Sequence, residues 1–193
     1  NTGGHVESRP LKGTRPRLKH QKDDAKMAET LRKSEKDRAE NVMIVDVVRN
    51  DLGRVCLAGS VEVPILWQVE GHPSVWQLVS AVHGQLSPNH DATDLLQACM
   101  PAASVTGAPK IRATEIIREI EPHPRGVYCG TIFAAGFNGG LISSVAIRTL
   151  QVADGCVDLH VGAGIVADSE SEAEFDETVY KARGILELLG LRE

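Results

Sequence analysis

The stretch GVYCGTIFAAGFNGGLISSVAIRTLQVADGCVDLHVGAGIV, residues 126–166, decides the fold. Three strand-like runs, Gly126 to Phe137, Leu141 to Val152 and Cys156 to Val166, are joined by Asn138-Gly139-Gly140 and by Asp154-Gly155. Asn-Gly and Asp-Gly readily take the left-handed backbone that tight hairpins need, so the three runs read as an antiparallel meander. Helical patterns lie on both sides of it. The class is therefore α+β, an antiparallel sheet meander packed with helices.

Immediately upstream, Pro109 suits the first turn of a helix from Ile111 to Ile120, which the Pro122-His123-Pro124 turn ends. Asp91 can cap a helix carrying Leu95, Leu96 and Cys99 that Pro101 stops. Val61 to Val69, bounded by Gly59 and Gly71, reads as a strand. Ser74 to Leu86 is ambiguous by length, but its β-branched residues and the alternation of Trp76, Leu78, Ser80 and Val82 favour strand over helix. From about Asp24, Met27, Leu31, Ala39 and the apolar run Val42 to Val48 predict one long helix ending near Gly53. At the other end of the chain a helix is expected over about Glu170 to Leu189. Asn1 is not an initiator, and Thr2-Gly3-Gly4 with His5-Val6-Glu7 reads like the end of a strand and its turn, so a larger domain that begins earlier is expected.

With 193 residues, 42% hydrophobic and 24% charged, the chain can bury a core. Nothing approaches the roughly 20 apolar residues of a membrane span or the layout of a signal peptide, so a cytoplasmic location without membrane attachment is expected. Cys56, Cys99, Cys129 and Cys156 are far apart, without a C-x-x-C pair, and read as reduced, partly buried thiols. The net charge of -5 conceals a segment from Arg9 to Arg38 crowded with Lys and Arg. Asp23, Asp24, Glu29, Glu35 and Asp37 interleave it, and no aromatic residue is there to stack on bases, which argues against nucleic acid.

Lys12, in Arg9-Pro10-Leu11-Lys12-Gly13-Thr14-Arg15-Pro16-Arg17, has arginines on both sides. Neighbouring cations disfavour an ammonium and are one route to a nucleophilic lysine; the plainer reading is a solvated basic turn punctuated by Pro10, Gly13 and Pro16. Asp37 with Glu40 and Glu174 with Glu177 are i,i+3 pairs, each on one helix face. If those faces meet, four carboxylates converge and require a cation, for which Mg²⁺ is the hard-oxygen choice; otherwise they are solvated helix faces. Gly162-Ala163-Gly164-Ile165-Val166-Ala167 matches the letters of a dinucleotide fingerprint, but β-branched residues follow the glycines and Asp168, Glu170, Glu172 and Glu174 would repel a pyrophosphate. Its amides suit a smaller anion, and Arg148, half-buried in an apolar strand, would add a cation or serve a structural ion pair. Thr106, ahead of the Pro109 helix, together with His83 and Tyr128, could meet a substrate or be structural.

Taken together, Arg9 to Arg17, Ala39 to Arg54, Ser104 to Lys110, Gly126 to Gly130, Ile147 to Thr149, Gly162 to Ser169 and Glu174 to Thr178 resemble the chorismate-binding enzymes. That family includes the large subunits of anthranilate and aminodeoxychorismate synthases and the isochorismate and salicylate synthases. The resemblance covers essentially the whole chain in order, and implies that residues 1–193 are the C-terminal portion of a single chorismate-binding catalytic domain. It implies Mg²⁺ on Glu40 and Glu177, supported through water by Asp37 and Glu174. The ring carboxylate of chorismate would lie near Gly164 and Lys181, the enolpyruvyl carboxylate on Tyr128, Arg148 and the Gly162 amides, and the ring beside His83 and Thr106. A lysine at position 12 resembles the aminodeoxychorismate synthases, whereas anthranilate synthases typically carry alanine. The implied reaction joins chorismate to ammonia supplied by a glutaminase partner, on the route to para-aminobenzoate and folate. Anthranilate synthesis and an inert chorismate- or metal-binding module are the alternatives. Ala102-Ala103 depart from the family's glycines, and its general-acid glutamate belongs to a Ser-Pro-Glu-Arg-Phe-like segment upstream of the Lys12 position.

Overall fold

The computed structural model describes residues 3–167 and 169–190; Asn1, Thr2 and Asp168, on which expectations were placed above, lie outside the described residues. The described chain is α+β, as the pattern predicts, and separates into two compact units: Asn1–Ile120 with Ala134–Ile142, and Glu121–Phe133 with Ser143–Glu193.

In the first unit, strands β1 (His5–Ser8), β2 (Leu11–Pro16), β3 (Glu62–Gly71) and β4 (Val75–Gln85) form one antiparallel sheet. β4 is central. β1 and β2 follow each other along one of its edges, and β3 runs along the other. Residues 78–82 of β4 are all buried, since helices α1 (Gln21–Lys33) and α2 (Glu35–Gly53) pack on the sheet. This resolves the ambiguous segment as strand: five consecutive buried residues without alternation are what a central strand requires. Val6, Val45, Leu52, Val55, Val82, Leu86 and Leu95 share one core, which draws β1, α2, β4 and α3 (Ala92–Cys99) together. Burying a side chain such as Leu52 contributes about 1.5–3 kcal/mol.

The single long helix expected from Asp24 to Gly53 is two helices. Ser34 separates them: its N–H closes α1 on the Leu31 carbonyl at 3.2 Å, and its hydroxyl accepts from the Asp37 N–H at 3.3 Å to open α2. A serine that bonds the next turn's backbone ends one helix and caps another. Asp91 caps α3 as expected, and its own N–H donates back to the Asp94 carboxylate. A short helix α4 (Ala103–Thr106) lies in what reads as loop, ahead of α5 (Lys110–Ile120).

In the second unit the long expected runs are shorter and differently paired. β5 (Thr131–Ala135) pairs with β6 (Leu141–Val145) and β7 (Leu150–Ala153) pairs with β8 (Cys156–Leu159), two hairpins in place of three strands side by side. The tip of the first hairpin, Ala134–Ile142, counts with the first unit. The run Leu141 to Val152 breaks at Arg148, whose φ of 50° takes the chain out of extended geometry. Residues 160–166, expected to continue the last strand, have no regular structure. Helix α6 (Ser171–Leu188) follows, near its expected bounds. Among the described residues no helix is long and apolar enough to cross a membrane.

Candidate active site

Lys12 lies in β2, so the solvated-turn reading of its run is replaced by a strand, and in an irregular part of it. Leu11 pairs with Val79 but Thr14 with Gln77, so β2 carries one extra residue at Lys12-Gly13. Such a bulge re-aims a side chain. Gly13 makes it feasible, with φ of 86° and so close an approach to α1 and α2 that an added Cβ would stand 2.9 Å from Asp37 Cβ and Leu31 Cδ1. Lys12 Nζ lies 3.6 Å from Glu40 Oε2, both side chains about three-quarters covered.

The flanking arginines do not act as the sequence suggested. Arg9 pairs with Glu70 at 2.5 Å, Arg15 with Asp37 at 2.8 Å, and Arg17 grips Asp24 through both Nε and Nη2. Each positive charge has its own carboxylate, and the charge facing Lys12 is Glu40. Arg17, the Leu18 N–H and the Trp76 indole N–H converge on Asp24 and hold its carboxyl below the usual carboxylate range, Arg17 contributing most.

His83 lies on β4, its Nε2 2.7 Å from Glu7 Oε2 and its ring edge-on to His5 at 4.9 Å. Glu7 was not singled out in the sequence; the β1–β4 register, which pairs Glu7 with His83, is what brings it there. Thr106 bonds the Ala102 carbonyl within its own turn at 3.1 Å. Lys110 was likewise overlooked. Its Nζ meets Asp51 Oδ2 at 2.6 Å and the Cys99 carbonyl at 3.2 Å, an almost buried pair that fixes the start of α5 against α2 and α3. Burial pushes Asp51 above the usual carboxylate range despite Lys110, and lifts the Cys99 thiol to about 11. No thiolate is available at that cysteine near neutral pH.

In the second unit, four of the anticipated residues meet. Lys181 donates to the Gly162 carbonyl at 3.1 Å and pairs with Glu177 at 2.6 Å. Tyr128 approaches Gly162 so closely that an added Cβ would lie 2.8 Å from its hydroxyl. Burial raises the Tyr128 phenol to about 12, so it remains a neutral donor. Glu174 accepts from the Ser169 hydroxyl at 2.6 Å, and Ser169 accepts from the Val166 N–H at 3.1 Å, which ties the end of the glycine segment to α6. Gly164 is exposed in that segment. The glycines open no helix, in keeping with the rejected dinucleotide reading. Arg148 departs from expectation: it is exposed in the break after β6, because Ala146 is the residue turned inward there.

As donors, Asp37, Glu40, Glu174 and Glu177 are hard carboxylates of the kind that suits Mg²⁺. Each already faces a cation or hydroxyl, from Arg15, Lys12, Ser169 and Lys181 respectively. Their chemistry fits a divalent ion that takes one or two carboxylates and keeps its waters. Among the described residues no group of three or more His, Cys, Asp or Glu side chains forms a ready-made cage.

The sequence pattern that describes chorismate binding enzymes matches residues 1–187. Aminodeoxychorismate synthase component 1 of Escherichia coli K12 is 50% identical over 184 residues, which are 95% of this chain and 41% of that protein. Anthranilate synthase component 1 of Streptomyces coelicolor is also 50% identical, over 95% of this chain and 36% of its own length. The chain thus spans about two-fifths of these relatives. Among solved structures, anthranilate synthase component I of Streptococcus pneumoniae superposes with a TM-score of 0.85 at 38% identity, covering 94% of this chain and 40% of the other. The menaquinone-specific isochorismate synthase of Escherichia coli gives 0.84 at 26% identity, covering 95% and 42%.

Proposed function

The chain belongs to the chorismate-binding enzyme family, and we propose that the enzyme carrying it is an aminodeoxychorismate synthase, which converts chorismate and ammonia to 4-amino-4-deoxychorismate and water. The observation that carries this reading is Lys12, a primary amine on a strand bulge beside Glu40. The Lys12 amine attacks C2 of chorismate; the ring double bond shifts and the C4 hydroxyl leaves, taking a proton to depart as water. Ammonia then adds at C4, the double bond shifts back, and the C2–N bond to lysine breaks.

The other residues have roles that their chemistry supports. Tyr128, as a neutral donor, the Gly162 segment and the exposed guanidinium of Arg148 recognise the enolpyruvyl carboxylate. Gly164 and Lys181 serve the ring carboxylate, and His83 and Thr106 lie beside the ring. Glu40 and Glu177 would hold Mg²⁺, with Asp37 and Glu174 supporting it through water; when bound, the ion neutralises a substrate carboxylate. Ammonia comes from a glutamine amidotransferase, as a separate subunit or a fused domain, and the product feeds para-aminobenzoate and folate synthesis in the cytoplasm.

Anthranilate synthesis is the second reading, favoured by the equal identity to an anthranilate synthase. Product analysis separates the two. The enzyme is supplied with chorismate, ammonia and Mg²⁺, and the products are resolved by mass and fluorescence. Aminodeoxychorismate is the expected product; fluorescent anthranilate with release of pyruvate as the main outcome refutes the assignment.

A further inference from the structure

We propose that Asn41 and Ser80 are positioning residues for Lys12 and Glu40, acting through the main chain without touching substrate. Asn41 follows Glu40 on α2 and is completely buried, as is Ser80 on β4. The Ser80 hydroxyl donates to Asn41 Oδ1 at 2.6 Å and accepts from the Trp67 N–H at 3.0 Å. The Ser80 N–H donates to the Pro10 carbonyl at 3.1 Å, and the Asn41 amide reaches toward the same carbonyl at 3.5 Å. Pro10 is two residues before Lys12. One polar network therefore joins the helix that carries the acid to the strand that carries the amine.

Stability alone does not call for these groups. Apolar side chains of similar shape would fill the interior without the desolvation cost of burying an amide and a hydroxyl. What the network adds is direction. Asn41 fixes the rotation of α2 against the sheet, and hence where the side chain of Glu40 points. The bond to Trp67 holds β3 through a left-handed residue with φ of 59° on the opposite edge of β4. Both residues are completely buried, so their geometry is set by these bonds.

The inference rests on Lys12 as the reacting amine, but its test needs no turnover. The chain is treated with an amine-acylating reagent at neutral pH, and modification is followed lysine by lysine with mass spectrometry. In Ser80→Ala and Asn41→Leu, Lys12 should react roughly two- to fivefold faster relative to the exposed Lys19 and Lys22, as a partly covered ion pair loosens. Adding either substitution to Glu40→Gln should produce no further rise, because both act through the same contact. If Asn41→Leu does not fold, Ser80→Ala, which removes one hydroxyl, carries the comparison. An unchanged Lys12 rate in a folded variant, or an equal rise at every lysine, overturns the proposal. In the complete enzyme the same variants should lower kcat with KM for chorismate held. A wild-type enzyme that makes no aminodeoxychorismate would refute the functional reading instead, and the labelling would still judge the positioning.

Discussion

Each unit of the molecule holds a lysine against a glutamate of the anticipated metal set, and the two pairs are built differently. Lys181 and Glu177 are one helical turn apart at 2.6 Å, a local pair that any helix with this sequence could form. Lys12 and Glu40 belong to different elements, and their 3.6 Å approach depends on a bulge, a left-handed glycine and a helix held by buried polar bonds. The surroundings follow the same division. The first unit has a shared core of buried side chains, although Ile111 and Ile120 stand exposed on its α5; the second leaves Val152, Ile165, Phe175 and Tyr180 largely exposed, and its buried apolar residues are only Cys129, Ala146 and Ala182 among those described. Two-stranded hairpins have too little area to bury their own apolar faces. The pair supported by tertiary structure is thus the one suited to chemistry that needs a fixed angle of attack, and the local pair is suited to gripping a flexible anion.

The strongest way to break that comparison is to remove each amine. In the complete enzyme Lys12→Ala should reduce aminodeoxychorismate formation by more than about 10³-fold, because no second nucleophile replaces a covalent step. Lys181→Ala should instead raise KM for chorismate with the same product formed. Steady-state kinetics with product identification reads both. Unchanged product formation in Lys12→Ala removes the nucleophile role and with it the distinction between the pairs.

The local pair could be read from spacing, and so could the Asp91 cap, the α5 boundaries and both hairpin turns, since each depends on residues a few positions apart. The Lys12–Glu40 pair was not legible from physics alone. The arginines beside Lys12 suggested a bare cationic cluster, but each one reaches a carboxylate at least seven residues away. Glu7 beside His83 and Asp51 beside Lys110 were missed for the same reason: register and helix packing create them. Arg148 shows the reverse error. An apolar run around it implied a buried strand, whereas one left-handed residue exposes the side chain and divides the run. Ser34 divides the long helix, because apolar periodicity does not reveal that a serine hydroxyl will bond the following turn.

Next in size is Lys110→Met, which leaves Asp51 buried without its partner. The expected cost is about 3 kcal/mol, the usual consequence of removing one member of a buried pair. Both tryptophans, Trp67 and Trp76, belong to the first unit and both tyrosines to the second. Tryptophan fluorescence during urea unfolding should therefore report the loss directly. A double substitution that also makes Asp51→Leu should recover much of it, since the uncompensated carboxylate is then gone; failure to recover would assign the cost to lost packing.

Two glycines compare the units at closer range. In Gly13→Ala the new methyl meets the Cβ of Asp37 and a buried leucine in a left-handed backbone, so about 1–3 kcal/mol should be lost. In Gly162→Ala the clash is with the tip of Tyr128, which can turn aside, and the cost should stay below about 1 kcal/mol. Hydrogen exchange followed by mass spectrometry should show faster exchange in β2 and α2 for the first variant. For the second, the change should be confined to the segments around Tyr128 and Gly162. Equal and global loosening in both would erase the proposed difference in rigidity.

The smallest effect is set by acid. Asp24 is held below its ordinary pKa chiefly by Arg17, joining the segment after β2, α1 and β4 at one carboxylate, while Glu121 is lowered by Arg125 four residues along the chain. For a carboxyl depressed in the folded state, the stabilisation is complete above its unfolded pKa of about 3.9 and disappears as pH falls through the folded value. Thermal unfolding read by tryptophan should accordingly show a melting temperature that declines as the solution is acidified below about pH 5. Asp24→Asn should melt lower at neutral pH and show a shallower acid decline, because its amide cannot take up that proton. Glu121→Gln should leave the tryptophan-detected decline in place, its local pair belonging to the second unit. If Asp24→Asn keeps the full acid slope, other carboxylates set it, and the tie between β2 and α1 contributes less to the rigidity behind Lys12 than its three donors imply.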